Sequence, residues 1–367
     1  MAGLYVHVPF CVSKCAYCDF YSLANRLALV SPYIDAVLAE AQTHAGMSFD
    51  TLYLGGGTPS LLGAADLEGL IGGLKDVFDL SRLAEATIEV NPESASEDLL
   101  RSATDLGFSR VSVGVQSLSD HELRSVGRVH TASQAVESVS RVVGMGVRDV
   151  SADVIVGLPG QTLGSLKSTL ERLIGLGVNH LSVYCLSLEH DTPLAANPPG
   201  DLPSDDVQAD LFEGGRSVLE GWGFTHYEIS NFCLPDRECR HNLNYWRGGE
   251  YLGLGPAAAS HLGGRRWKNR ANLVTYLRDP SGVVEEAEEL GVKEKAAEEA
   301  MLRLRLLVEG LAVNEMVDRF GEDGMQGLLL RLNGLVAEGA LTCDGSRYRL
   351  ARSRVLTSNP ILARVLG

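Results

Sequence analysis

The stretch Leu4-Tyr5-Val6-His7-Val8-Pro9-Phe10-Cys11-Val12-Ser13-Lys14-Cys15-Ala16-Tyr17-Cys18 reads as a short apolar strand running straight into a loop that carries three cysteines. Five further runs of the same kind follow, at Thr51–Leu54, Ala86–Val90, Arg110–Val115, Asp149–Val156 and His180–Leu186. Between them the apolar spacing changes to the helical period, over Pro32–Thr43, Ala64–Phe78, Ser96–Leu106, Thr131–Met145 and Leu163–Leu176. Several of these segments stop at glycine, as at Gly107, Gly146 and Gly177, where a left-handed C-cap costs little. Strand and helix in alternation predict the α/β class. The expected architecture is a partial (β/α)6 barrel over residues 1–186, with its chemistry gathered at the C-terminal ends of parallel strands.

The remainder divides by composition. Glu189–Asp206, with prolines at 193, 198, 199 and 203, is a connector. A helix near Val207–Glu220 and a strand at Thr225–Ile229 follow, then an aromatic and glycine-rich segment, Ser230–Asn272, that reads as irregular. We take 187–285 as one unit and 286–367 as another. In the last unit helices at Lys293–Val308, Val313–Phe320 and Met325–Glu338 precede a hairpin of Ala340–Cys343 and Arg347–Leu350, a C-terminal helix-rich, winged-helix-like arrangement. Leu290–Gly367 carries eleven basic and ten acidic residues, with no basic stripe, which argues against DNA binding and for a packing or docking module.

The whole chain of 367 residues is 45% hydrophobic and 22% charged, which excludes disordered and fibrous classes. Its net charge of −15 argues against a chain-wide nucleic-acid role. No apolar run approaches the roughly 20 residues that span a bilayer. Met1-Ala2-Gly3 leads into the first strand without a basic leader, so a cytoplasmic location is expected.

Seven cysteines are too few for a disulfide scaffold, and Cys11, Cys15 and Cys18 crowd one loop while Cys185, Cys233, Cys239 and Cys343 are scattered. Three thiolates suit one face of a [4Fe–4S] cluster and leave one iron open to a small molecule. Zinc would need a fourth ligand, from His7, Cys233 or Cys239, and no second C-x-x-C pair supplies it. At the other strand ends stand Gly55-Gly56-Gly57-Thr58-Pro59, Glu89-Val90-Asn91-Pro92-Glu93, Val113-Gly114-Val115-Gln116-Ser117 and Asp153, with Arg128 on a loop beyond the fourth strand. The glycines let backbone groups approach a ligand closely, and no Gly-Lys-Ser/Thr follows to make a phosphate loop. Gly253-Leu-Gly255-Pro-Ala-Ala258 matches a dinucleotide fingerprint in letters only, because no acidic residue stands about 20 positions on.

Taken together, the cysteine spacing, Tyr17 before the last cysteine, and the runs Gly-Gly-Gly-Thr-Pro-Ser, Gly-Val-Gln-Ser and Tyr227-Glu-Ile-Ser-Asn-Phe232 resemble the radical S-adenosylmethionine (SAM) proteins related to oxygen-independent coproporphyrinogen III dehydrogenase. Within them the chain is most similar to the HemW-type heme chaperones. The dehydrogenase branch has a further cysteine two residues after the third cluster ligand, where this chain has Phe20, and an N-terminal extension, where only four residues precede Tyr5. His241-Asn242-Leu243-Asn244-Tyr245-Trp246 matches the chaperone H-N-x-x-Y-W motif. The resemblance implies a radical SAM barrel with a [4Fe–4S] cluster on Cys11, Cys15 and Cys18. It puts SAM contacts at Tyr5, Tyr17, Gly56, Gly57, Thr58, Glu89, Gln116, Arg128 and Asp153, and a heme site at His241, Tyr245 and Trp246, with His241 on the heme iron.

Imidazole is a common axial ligand and Tyr and Trp offer flat apolar surface, so the assignment is chemically reasonable; Cys239 is the competing ligand, and a hydrogen-bonded loop histidine is the plain alternative. Arg237–Arg270 holds seven basic residues against two acidic ones, suited to heme propionates or simply to water. Relatives read Gly-Pro-Gly-Ala-His-Ser where this chain has Gly255-Pro256-Ala257-Ala258-Ala259-Ser260, so the family histidine is Ala259 here, with His261 two residues on. The resemblance implies transfer of heme to respiratory acceptor proteins at the membrane, with peripheral association through those partners. If SAM is cleaved, an electron from the cluster would yield methionine and a 5′-deoxyadenosyl radical. A radical enzyme, a dehydrogenase or a methylating or cyclopropanating relative, is the second reading. Whether SAM is turned over and whether the chain forms a homodimer are left open by the residues.

Overall fold

The computed structural model describes residues 1–367. β1 (Ala2–Val8), β2 (Thr51–Gly56), β3 (Glu85–Val90), β4 (Arg110–Gln116), β5 (Asp149–Val156) and β6 (His180–Cys185) pair in that order and all in parallel. The crossovers run through α1 (Val30–Gln42), α2 (Ala64–Val77), α3 (Glu97–Leu106), α4 (Ala132–Gly144) and α5 (Leu163–Leu176). α3 and α5 end on Gly107 and Gly177 at φ 98° and 105°, the left-handed caps expected from the sequence.

Alternation along each strand separates two chemistries. Leu4, Val6, Leu52, Leu54, Ile88 and Val111 belong to one core cluster of 72 buried residues that the helices cover. The residues between them, including Tyr53, Thr87, Glu89, Ser112, Ser151 and Asp153, line a small polar interior space. The barrel therefore has a dry outer layer and a polar lumen.

Ser230–Asn272 is not irregular, as the sequence suggested. After α6 (Asp205–Gly221) and the short α7 (Arg240–Trp246), β7 (Glu250–Leu254) pairs in parallel with the free edge of β1, from Ala2↔Glu250 to Val6↔Leu254. β8 (Ala259–Leu262), β9 (Arg265–Asn269) and β10 (Val284–Glu289) extend the sheet antiparallel, and Asn231–Cys233 adds to the opposite edge on β6. The sheet reaches twelve strands. The expected boundary at 285/286 falls inside β10.

α7 closes the N-terminal end of the lumen. Arg110, at the start of β4, pairs with Glu85 at 3.1 Å and Asp149 at 3.7 Å and donates to the carbonyls of Arg237 and Glu238, both at 3.0 Å. Glu85 in turn accepts from the His241 backbone N–H at 3.1 Å. Charges at three strand starts thus tie down the segment that leads into α7.

The last unit contains α8 (Val292–Arg303), α9 (Val313–Met325) and α10 (Leu328–Ala337), with β11 (Leu341–Asp344) and β12 (Arg347–Leu350) joined by Leu311–Ala312 in a three-stranded antiparallel sheet. A final helix, α11 (Ser358–Leu366), packs on α8 and α10 and was not foreseen from the sequence.

Candidate functional site

At the C-terminal ends of the strands lies a cavity of about 340 Å³. Cys11, Cys15 and Cys18 line it, together with Tyr17, Gly56, Gly57, Thr58, Glu89, Gln116, Arg128 and Asp153, so eight of the nine expected SAM contacts share one space with the three thiols. The close approach of the glycine loop has a steric cause. A Cβ on Gly57 would stand 2.6 Å from the Phe10 carbonyl and 2.8 Å from that of Val8, and Gly56 holds φ 106°. Gln116 adopts φ 64° at the end of β4, an uncommon conformation for a residue with a side chain.

Two of the thiols have polar neighbours: the Thr58 hydroxyl is 3.6 Å from Cys11 Sγ, and Arg128 Nη1 is 3.5 Å from Cys15 Sγ. Arg128 is itself held by the Asn91 side chain at 2.8 Å and the Gly114 carbonyl at 2.6 Å. Asn91 also donates to Thr58 Oγ1 at 2.9 Å, a linking role its place at the strand end did not by itself reveal. No three Cys, His, Asp or Glu side chains stand close enough together to hold a single metal ion. A cubane takes one thiol per iron and spaces its ligands more widely, so the donor set, three thiols beside an open cavity, fits a [4Fe–4S] cluster and not a mononuclear site.

Two half-buried carboxyls face the same cavity. Burial pushes Glu89 up to about 7, against hydrogen bonds from the Tyr53 hydroxyl at 2.7 Å and the Gly56 N–H at 3.2 Å. Burial likewise raises Asp153 to about 6, while Ser182 and Ser112 pull it back. Both therefore change charge near neutrality.

Tyr5 lines a second and larger cavity, of about 1120 Å³, and not the first. Tyr245, Trp246 and Tyr251 share this space, and α8 and α9 contribute Lys295, Glu298, Leu302, Arg319 and Phe320. Lys14, Asp19 and Phe20 border both cavities, so the cysteine loop is their common wall.

His241 stands behind this cavity rather than in it. It is 1% exposed, its Nδ1 lies 2.9 Å from Thr51 Oγ1, and its Nε2 lies 2.8 Å from the Tyr245 hydroxyl. Burial lowers the imidazole to about 3, so the ring is neutral. In this conformation neither nitrogen is open to a ligand. Cys239 is buried beside Glu85, and burial raises its thiol well above the usual range. Tyr245 and Trp246 do reach the cavity wall, with the Arg305 guanidinium stacked 4.3 Å over the Trp246 ring.

Much of the basic excess around α7 is consumed internally. Arg237 pairs with Asp149, Arg247 with Glu309, Arg270 with Glu285, and Arg266 with both Glu288 and Glu298. Lys268, by contrast, is exposed and forms no ion pair, and it lies on the second cavity.

The profile of the Radical SAM superfamily matches residues 5–173. Over its whole length the chain is 36% identical to the heme chaperone HemW of Mycobacterium tuberculosis, covering 95% of that protein. It is 33% identical to HemW of Escherichia coli, with 98% of this chain and 97% of that one aligned. The chain belongs to the HemW family of radical SAM proteins. Its fold is also that of the coproporphyrinogen III oxidase HemN of Escherichia coli, with a TM-score of 0.87 over 99% of this chain and 89% of that one, at 24% identity. Membership of the HemW family implies a [4Fe–4S] cluster and SAM, which accords with the donor set of the first cavity. No helix is long and apolar enough to cross a membrane.

Proposed function

We propose that the chain is a heme chaperone that takes heme as cargo in the second cavity, carries a [4Fe–4S] cluster and SAM in the first, and passes the heme to respiratory acceptor proteins at the membrane. The observation that carries this reading is the cavity of about 1120 Å³, walled by Tyr245, Trp246 and Tyr251 and bordered by the unpaired Lys268, beside the cysteine loop. It exceeds the usual 300–1,000 Å³ of small-ligand sites, and its flat aromatic walls and lysine suit a macrocycle with two carboxylates.

In the first cavity, Cys11, Cys15 and Cys18 would hold the cluster, which supplies an electron and an open iron when bound. Gly56, Gly57 and Thr58 present backbone and hydroxyl groups to the methionine end of SAM, and Arg128 places positive charge beside the thiolates. Glu89 is the partner for the SAM ammonium. Because burial places Glu89 at about 7, acidification through that value neutralises it and removes the attraction. SAM affinity of the reconstituted protein should then fall by up to tenfold per pH unit below about 7. Calorimetric titration between pH 6 and 8 checks this, and Glu89→Gln should bind more weakly and lose the pH dependence centred near 7, keeping only the part that Asp153 imposes near 6.

The competing reading is a radical enzyme acting on coproporphyrinogen III. Phe20, which borders both cavities, stands where that branch carries a cysteine, and this favours the chaperone. The deciding experiment uses anaerobically reconstituted full-length protein. Stoichiometric hemin binding, transfer to an apo-cytochrome, and no formation of protoporphyrinogen IX are expected. Conversion of coproporphyrinogen III would sink the proposal.

A further inference from the structure

The geometry points to His261, and not His241, as the protein ligand to heme iron; this rests on the chaperone reading above and locates the metal end of its cargo site. Two histidines line the large cavity, His7 and His261. Both nitrogens of His7 are engaged, Nδ1 at 3.0 Å from the Tyr5 hydroxyl and Nε2 at 2.8 Å from the Tyr21 carbonyl. His241 is likewise engaged at both nitrogens and lies behind the wall. It is further pinned by Gly3, where even an added Cβ would come within 3.0 Å of its ring.

His261 is different. It is half-buried, its Nδ1 stands 3.3 Å from the Gly249 carbonyl, and its Nε2 makes no hydrogen bond within the protein and is not among the buried atoms without a partner. A carbonyl opposite Nδ1 fixes the proton there and leaves the Nε2 lone pair free for a metal, the arrangement that orients histidine ligands in general.

The strands supply the rest of the site. Residues two apart on β8 share a face, so His261 and Ala259 both border the cavity. On β9 their cross-strand partners are Arg266 and Lys268, which place two cations along the same wall. Arg266 is already neutralised by Glu288 and Glu298, which leaves Lys268 for a propionate. Tyr251 lies opposite His261 in the ladder, with ring centroids 6.1 Å apart at 64°, and meets Tyr245 edge-on at 4.5 Å. The Tyr245 hydroxyl closes the chain on His241. His241 is therefore a positioning residue: it sets Tyr245, which sets Tyr251, which borders the ligand.

The test is hemin titration of the full-length protein, followed by optical difference and electron paramagnetic resonance spectra of the ferric complex. His261→Ala should bind hemin at least tenfold more weakly and lose the nitrogen-ligand signature, and added imidazole should restore that signature. His261→Gln, which keeps the size of the side chain, should behave as His261→Ala and melt as the unaltered protein does. His241→Ala should weaken binding while the bound fraction keeps the original spectrum. The inference is overturned if both His261 variants keep that spectrum, or if His241→Ala loses it and imidazole restores it. Failure of the unaltered protein to bind hemin stoichiometrically would instead remove the chaperone reading on which the inference stands.

Discussion

Replacement of Cys11, Cys15 and Cys18 together by serine should give a folded protein that takes up no iron–sulfur cluster on anaerobic reconstitution. All three thiols are partly exposed on the loop after β1, and none belongs to the buried core, so their loss removes a ligand set without opening a hole. Unfolding free energy should stay within about 0.5 kcal/mol of the parent when both lack a cluster, as for surface substitutions elsewhere. Bound iron and sulfide, and the visible absorbance of the cluster, should fall to background. Cys185 provides the control, because it lines the same cavity at the end of β6 and burial holds its thiol up at about 11. Cys185→Ser should reconstitute fully. A triple variant that still assembles a cluster, or a Cys185→Ser protein that does not, would mean that the ligand set is wrongly drawn.

The second large effect lies at the opposite end of the barrel. Arg110 is 2% exposed, and its guanidinium joins Glu85, Asp149 and the carbonyls of Arg237 and Glu238. Arg110→Met keeps most of the volume and removes the charge, leaving the buried Glu85 carboxylate and two carbonyls without their cation, while Asp149 keeps Arg237 at 3.0 Å. Breaking a buried pair in this way costs about 3–5 kcal/mol, because the partner charge is left uncompensated. Urea unfolding of the variant should show a loss of that order, and a loss below about 1 kcal/mol would contradict this account of the network. Because Glu85 also accepts from the His241 backbone, the variant should loosen α7 and weaken hemin binding through Tyr245 as well.

The barrel was readable because its six strands are short apolar runs, and the helices between them end on glycines such as Gly107 and Gly177 whose backbone sign is forced. The top cavity was readable because a parallel barrel brings strand ends together whatever their distance in sequence, so Cys15, Glu89, Arg128 and Asp153 could be assembled from position alone. β7 was not readable. Glu250–Leu254 has glycines before, within and after it, and its ladder partner is the strand at the start of the chain. Without β7 and the three strands beyond it there was no wall for a second cavity, and Tyr5 could only be assigned to the first. The surroundings of His241 were equally out of reach, since its partner Thr51 is 190 residues away in sequence and a motif does not say whether its histidine faces outward or inward. His261 carried the one available signal, its position two residues beyond Ala259 on a strand whose existence the sequence did not disclose.

The cysteine loop that borders both cavities at Lys14, Asp19 and Phe20 has a thermodynamic consequence. Whatever free energy the filling of one space adds to, or takes from, the filling of the other is a single quantity belonging to the protein. If a cofactor in the first space tightens the grip on cargo in the second, cargo must tighten the grip on the cofactor by the same factor. Release of cargo and loosening of the cofactor are then two readings of one equilibrium, and the loop of residues 11–20 is the wall that the two spaces share.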